Sequence, residues 1–265
     1  MTLEQIIVLA IVQGVTEFLP ISSSGHLILI PQLMHWPDQG QLTDVLTHLG
    51  TLLAILIYFW RDVWHITRGA LELFKGKVTE EGKLAIYIVL ATIPAVAFGF
   101  VLKKFGYADL ERNVAIVAWN TILYGILMLI ADMVGPQERT IQNMTLGSAL
   151  IIGTAQALAL IPGTSRSGVT MTAGRFLGFT RPDCARFSFL LGIPATAGAI
   201  VFSIGDALES GGKVTQDQLL CAALTFVAGI LAIAFLMNLL KRISFLPFVL
   251  YRMVLGGFLL VLLYS

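Results

Sequence analysis

The chain has 265 residues, of which 57% are hydrophobic and 12% charged, against about 25% charged in an ordinary soluble domain. With a mean hydropathy of +0.85 it lacks the polar residues to cover a water-facing surface, so a soluble globular protein is excluded and an integral membrane protein is expected. The formal net charge of +1 offers no electrostatic basis for binding nucleic acid.

Apolar segments run from end to end, which predicts a single membrane domain over residues 1–265 without a soluble appendage. Met1 to Ala10 carry no basic n-region and no small-residue cleavage site follows, so no signal peptide is expected. Cys184 and Cys221 lie far apart without metal-ligand spacing. Cys221, inside an apolar run, reads as a small buried hydrophobe.

In chain order, residues 6–12 form an apolar run too short to span, since a span takes about 20 residues. A polar stretch, Gln13-Gly14-Val15-Thr16-Glu17-Phe18-Leu19-Pro20-Ile21-Ser22-Ser23-Ser24-Gly25-His26, interrupts it before apolarity resumes at Leu27 to Leu33. Two short helices around a Pro/Gly-broken tip predict a re-entrant hairpin, whose irregular backbone must be buried in protein or line water. Residues 35–40 read as an interfacial loop. Six spans are predicted: Leu42–Trp60, Leu84–Leu102 with Pro94 as a kink, Val114–Val134 stopped by Gly135-Pro136, Phe187–Ile204, Leu219–Leu240 and Pro247–Leu263. A second hairpin lies between the third and fourth spans. Leu146–Ile161 and Val169–Gly178 flank the tip Pro162-Gly163-Thr164-Ser165-Arg166-Ser167-Gly168.

The halves repeat. Gln13 is matched by Gln156 and the Ser-Ser-Ser-Gly ending at Gly25 by the Ser-Arg-Ser-Gly ending at Gly168, both 143 positions on. Leu49-Gly50-Thr51 is answered by Leu191-Gly192-Ile193. Each half, 1–134 and 135–265, holds one hairpin and three spans. Three is odd, so the second half enters from the opposite face. The expected fold is therefore all-α, with six transmembrane helices and two re-entrant hairpins in an inverted-topology repeat. Suppose the face with Arg61, Arg68, Lys75, Lys77 and Lys83 is cytoplasmic. It then also carries Arg139, Arg175, Arg181, Arg186, Lys241 and Arg242, against Lys103, Lys104, Arg112 and Lys213 opposite. That bias sets both termini outside and lets the two tips meet within the membrane.

Ionisable groups at that depth are costly and usually functional. Ser22, Ser23 and Ser24 precede a helical run whose first amides are unpaired, a geometry that favours an anion. Ser165, Arg166 and Ser167, after Thr164, supply a second helix start and a guanidinium suited to phosphate. The predicted site thus takes phosphate or diphosphate. Ser23 and His26, three apart, share a face if the chain is helical there. Ser23 attacks phosphorus while His26 handles the proton, or His26 itself attacks; Ser23 is the preferred nucleophile. Glu17 orients His26, takes a proton or holds a divalent cation, and Arg166 stabilises the transferring phosphoryl group. Blander readings stand beside these: the serines as a helix cap, Glu17 and Arg166 as a structural clasp between the halves, and His48 as a packing residue or the rim of the site.

The two stretches together resemble the undecaprenyl-diphosphate phosphatases, the bacitracin-resistance membrane family. Residues 13–26 look like its first motif and residues 162–168 like its second, Pro-Gly-x-Ser-Arg-Ser-Gly. The resemblance implies hydrolysis of the carrier lipid diphosphate to the monophosphate at the outer face of the bacterial cytoplasmic membrane. That recycles the carrier for cell-wall synthesis and confers bacitracin resistance. It also implies a divalent cation, Mg²⁺ or Ca²⁺, a polyprenyl diphosphate substrate among membrane lipids, and a homodimer. Carried over residue by residue, the site is Glu17, Ser22, Ser23, His26, Ser165 and Arg166. Gln13 departs from the acidic form of the motif, so Glu17 is left to carry the acid–base or metal role while Gln13 only hydrogen-bonds. The rival reading is a transporter or flippase for phosphate or a lipid phosphate, which needs binding groups but no nucleophile.

Overall fold

The structure, a computed structural model, describes residues 1–37, 39–105, 113–209 and 214–264, apart from the side chains of Ser24, Ile28, Gln32 and residues 206–209. Arg112 and Lys213, two of the four outer-face charges, lie outside the described residues. Among the described residues the regular structure is helical, eleven α-helices and one short 3₁₀ helix (Ile141–Asn143), with no strand. The first polar stretch lies between α1 (Leu3–Thr16) and α2 (Ser23–Leu33), and the second between α7 (Leu146–Leu158) and α8 (Arg166–Phe176). Six helices are long and apolar enough to cross a membrane: α3 (Gln41–Tyr58), α5 (Glu80–Lys104), α6 (Val114–Val134), α9 (Arg181–Glu209), α10 (Gln216–Leu239) and α11 (Leu246–Tyr264). They match the six predicted spans.

One helix was not expected. The basic stretch after Arg61 is helical as α4 (Trp60–Leu73), with Trp60 and Trp64 exposed on it. It packs on α5. Its mixture of Trp, Arg, Asp and His is amphipathic, which a search for uninterrupted apolar runs does not detect.

Helix starts follow from local chemistry. The hydroxyls of Thr2, Thr79, Thr145 and Thr215 and the side-chain oxygen of Asn113 each accept from an amide in the first turn, satisfying donors that a helix leaves unpaired. Thr2 and Thr145 are 143 apart, as are the first residues of α2 and α8. The residues just before those two helices, Ser22 (φ 77) and Ser165 (φ 70), are both non-glycine residues with positive φ.

Helices from the beginning of the chain pack on helices from its end. α1 and α3 pack on α10, and α7 packs on α5, which also meets α9. α3 meets α9, and α6 meets α11. Close approach is built in by glycine. A Cβ on Gly14 of α1 would come within 2.6 Å of Ala228 on α10, and one on Gly153 of α7 would collide with the backbone of Ala91 on α5. The main core gathers Phe18, Phe59, Phe187, Phe189, Met128 and Phe245 among others.

Beyond α6 the chain is anchored by a buried cluster. Asp132 accepts from Arg175 Nε at 3.1 Å, from Arg181 Nε at 2.7 Å and from the Phe245 amide at 2.9 Å. Arg175, counted above among the loop charges, is wholly buried and also donates to the carbonyls of Gly135, Pro136 and Phe179.

Candidate functional site

The first tip leaves α1 at Glu17 and turns through Phe18 to Ser22 before α2 begins. The second leaves α7, turns at Gly163 and enters α8 at Arg166. Gly163 has φ +84, and a Cβ there would collide with the Val117 carbonyl of α6. Only glycine combines that conformation with that contact.

The tips meet. Arg166 Nη2 donates to Glu17 Oε1 at 2.9 Å, while its Nη1 donates to Thr196 Oγ1 of α9 at 2.8 Å. Ser167 Oγ reaches the carbonyls of Glu17 at 3.3 Å and Leu19 at 3.2 Å. Gly192 of α9 makes room for the guanidinium, with which any Cβ there would collide. Its counterpart Gly50 serves packing instead, facing the backbone of α10 at Ala222.

Glu17 is the centre of the arrangement and is buried. Its second oxygen accepts from Ser23 Oγ at 2.8 Å and from Gln13 Nε2 at 3.1 Å, and His48 Nε2 lies 3.6 Å away. His48 Nδ1 is held by the Asp44 carbonyl at 2.8 Å, so His48 is both a packing residue and part of the rim. Gln13 hydrogen-bonds as expected, and its Oε1 is buried without a partner.

The expected Ser23–His26 pair is not formed. α2 starts at Ser23, whose hydroxyl turns back to Glu17. His26 Nδ1 contacts the Ser22 carbonyl at 2.7 Å, and a carbonyl can only accept, so Nδ1 carries the proton and Nε2 accepts from Tyr251 Oη at 2.6 Å. The two rings are stacked, 5.6 Å between centroids. Ser22 is buried. The side chain of Ser24 lies outside the described residues. Ser165 caps α8 by accepting from the Gly168 amide at 3.2 Å and lies 3.3 Å from Ser167 Oγ. Thr164 Oγ1 is buried without a partner.

A divalent cation is tested by the donors present. Among the described residues no three of His, Cys, Asp and Glu converge as a metal cage. Glu17 and the unpartnered Gln13 Oε1 are oxygen donors suited to a hard ion, and Mg²⁺ is commonly held by one or two carboxylates plus substrate phosphates. The residues fit a cation only when the diphosphate completes its shell.

Chemically, a hydroxyl donates to a carboxylate able to take its proton, and a guanidinium sits on the carboxylate's other oxygen. Sequence reasoning passed over four contributors: Tyr251, Arg252, Thr196 and the inner contact of His48. Arg252, wholly buried, donates to the Pro20 carbonyl in one tip and the Gly163 and Thr164 carbonyls in the other. An arginine inside the apolar run 247–263 is the signal that could have found it. Tyr251 and Thr196 carry no such signal.

The model of the family described as bacitracin resistance protein BacA matches residues 6–258. An Erythrobacter litoralis protein named undecaprenyl-diphosphatase is 47% identical over 278 residues, 97% of this chain and 98% of its own. Proteins of the same name from Roseobacter denitrificans and Alteromonas mediterranea are 45% identical over 100% of both chains and 47% identical over 98% of both.

Proposed function

The chain belongs to the bacitracin resistance protein BacA family, and from that premise we propose that it is a membrane phosphatase hydrolysing undecaprenyl diphosphate to undecaprenyl phosphate and inorganic phosphate. The observation that carries the chemistry is the chain Ser23–Glu17–Arg166, at 2.8 and 2.9 Å. Ser23 Oγ attacks the terminal phosphorus and its proton passes to Glu17. The bond from that phosphorus to the bridging oxygen breaks, and undecaprenyl phosphate leaves with the electron pair. Arg166, freed as Glu17 is protonated, turns its guanidinium to the transferring phosphoryl oxygens. Water then attacks the phosphoserine phosphorus and the bond to Ser23 Oγ breaks; Glu17 returns its proton to Ser23 Oγ, and the protons of the water leave with the phosphate. His26, with Nδ1 on the Ser22 carbonyl and Nε2 on Tyr251, is left to hold the turn just before the nucleophile. Gln13, Ser22, Thr164, Ser165 and Ser167 line the anion's path. A divalent cation, held by Glu17 and the diphosphate oxygens, would supply charge neutralisation.

The protein is a multi-pass bacterial membrane protein. We assign it to the cytoplasmic membrane with the site open to the outer face, on the charge bias of its loops. We also infer an inverted repeat of two hairpins and six spans, acting as a homodimer. The matched helix starts and the exchanged packing of α1 and α3 on α10 and of α7 and α9 on α5 support the repeat. The carrier reading draws no support from relatives that bear a diphosphatase's name.

The test is phosphate release from undecaprenyl diphosphate by purified protein, beside Ser23→Ala and Arg166→Ala, with and without chelator. Release that either substitution abolishes sustains the proposal, and chelator sensitivity adds the cation. A well-folded wild type that releases no phosphate refutes it.

A further inference from the structure

Arg252 lies within α11, wholly buried. A charge at that depth is expensive unless it is hydrogen-bonded and useful. Among the described residues its guanidinium hydrogen-bonds to carbonyls alone. Nε donates to Thr121 at 2.9 Å, Nη1 to Pro20 at 3.3 Å, and Nη2 to Asn120 at 3.3 Å, Gly163 at 3.0 Å and Thr164 at 3.1 Å. Two of these acceptors sit on α6 and three on the two tips. The charge is therefore satisfied by dipoles, and none of its hydrogen bonds goes to a carboxylate.

These contacts set the direction of the second tip. In a planar trans peptide the C=O and N–H point opposite ways. Drawing the Thr164 carbonyl onto Arg252 turns the Ser165 amide away from it. The next two amides, of Arg166 and Ser167, open α8 and have no partner within the helix. Gly163 and Ser165 both have positive φ, 84 and 70, with Thr164 between them outside that region. At the same tip, Thr164 Oγ1 is buried with no hydrogen-bond partner. It is a donor without an acceptor where a phosphoryl oxygen is expected.

We propose that Arg252 is a positioning residue of the phosphate site, holding the Gly163 and Thr164 carbonyls back so that the Ser165, Arg166 and Ser167 amides face the transferring phosphoryl group. It does not touch the substrate. Its charge adds to that of Arg166, whose own charge is matched by Glu17 in this structure. The proposal rests on the phosphatase reading.

Arg252→Lys, Arg252→Gln and Thr164→Val separate positioning from mere stapling. Lysine keeps the charge but loses the planar fork that grips several carbonyls at once. The measurements are Tm in detergent, kcat and KM for phosphate release, and inhibition by orthovanadate, a phosphoryl-transfer mimic. For folded Arg252→Lys, kcat should fall by about 10²-fold, the loss typical of a removed oxyanion donor. Vanadate inhibition should weaken by about tenfold or more, with KM little changed. Thr164→Val replaces an unsatisfied hydroxyl by a methyl, so Tm should hold or rise while vanadate inhibition weakens. Folded Arg252 variants with wild-type kcat and vanadate affinity overturn the proposal. So does a lower Tm in the Arg252 variants with vanadate affinity intact. If neither Arg252 variant folds, Thr164→Val decides: weakened vanadate inhibition sustains the assignment and unchanged inhibition overturns it. A wild-type protein that releases no phosphate would instead overturn the phosphatase reading itself.

Discussion

Glu17 is a single carboxylate with three donors on it, and the function of the site turns on which of them it releases. Glu17→Gln preserves the size and keeps an acceptor for Arg166, but it cannot take the Ser23 proton. A kcat lower by about 10²–10⁴-fold, the usual worth of a general base, is expected in a phosphate-release assay, with Tm close to wild type. Tyr251→Phe should behave differently. It removes one hydrogen bond from His26, worth about 1 kcal/mol, so a loss of roughly fivefold is expected; a complete loss would make Tyr251 part of the chemistry. At this scale the sequence is partly legible. Glu17, Ser23, His26 and Arg166 stand out because charged and hydroxyl groups are rare in apolar runs. Their pairing does not, because three-residue spacing puts Ser23 and His26 on one face only if their side chains turn the same way. Glu17 draws Ser23 inward and Tyr251 draws His26 toward α11, a contact 225 residues distant in sequence.

Between elements, the Asp132 cluster holds α6, α8, α9 and the start of α11 at one end of the bundle. Asp132→Ala would leave Arg175 buried without its carboxylate, a change that costs about 3–5 kcal/mol. Thermal unfolding in detergent should show a much lower Tm, while kcat of the folded fraction stays near wild type because the cluster lies off the site. An equal loss of kcat at unchanged Tm would contradict that division. The six spans are legible because twenty apolar residues leave little else to do in a bilayer. α4 is not, because the charged residues of its polar face break the apolar run at every turn. Nor do sequence patterns foretell positive φ at Ser22 and Ser165, where glycine would be the usual choice.

For the molecule as a whole, an offset of 143 between matched residues is legible in the sequence, while the packing of α1 and α3 on α10 and of α7 on α5 is not, since it depends on contacts across the bundle. The orientation can be checked directly. Cys184 and Cys221 are both buried, so single cysteines introduced at Lys75 and Lys104 should label against a low background. An impermeant maleimide should reach Lys104→Cys in intact cells and Lys75→Cys only after permeabilisation; the reverse would invert the assignment. The packing of early helices on late ones also has a consequence for how the protein is made. Arg166 follows its partner Glu17 by 149 residues, and Arg252 follows Pro20 by 232. At a synthesis rate of about 5–20 residues per second, Glu17 waits roughly 7–30 seconds in the membrane before its cation exists. The first tip cannot close until roughly 12–46 seconds have passed. The nascent chain thus holds an acid without its arginine and an unfinished first tip until helices more than a hundred residues downstream have been made.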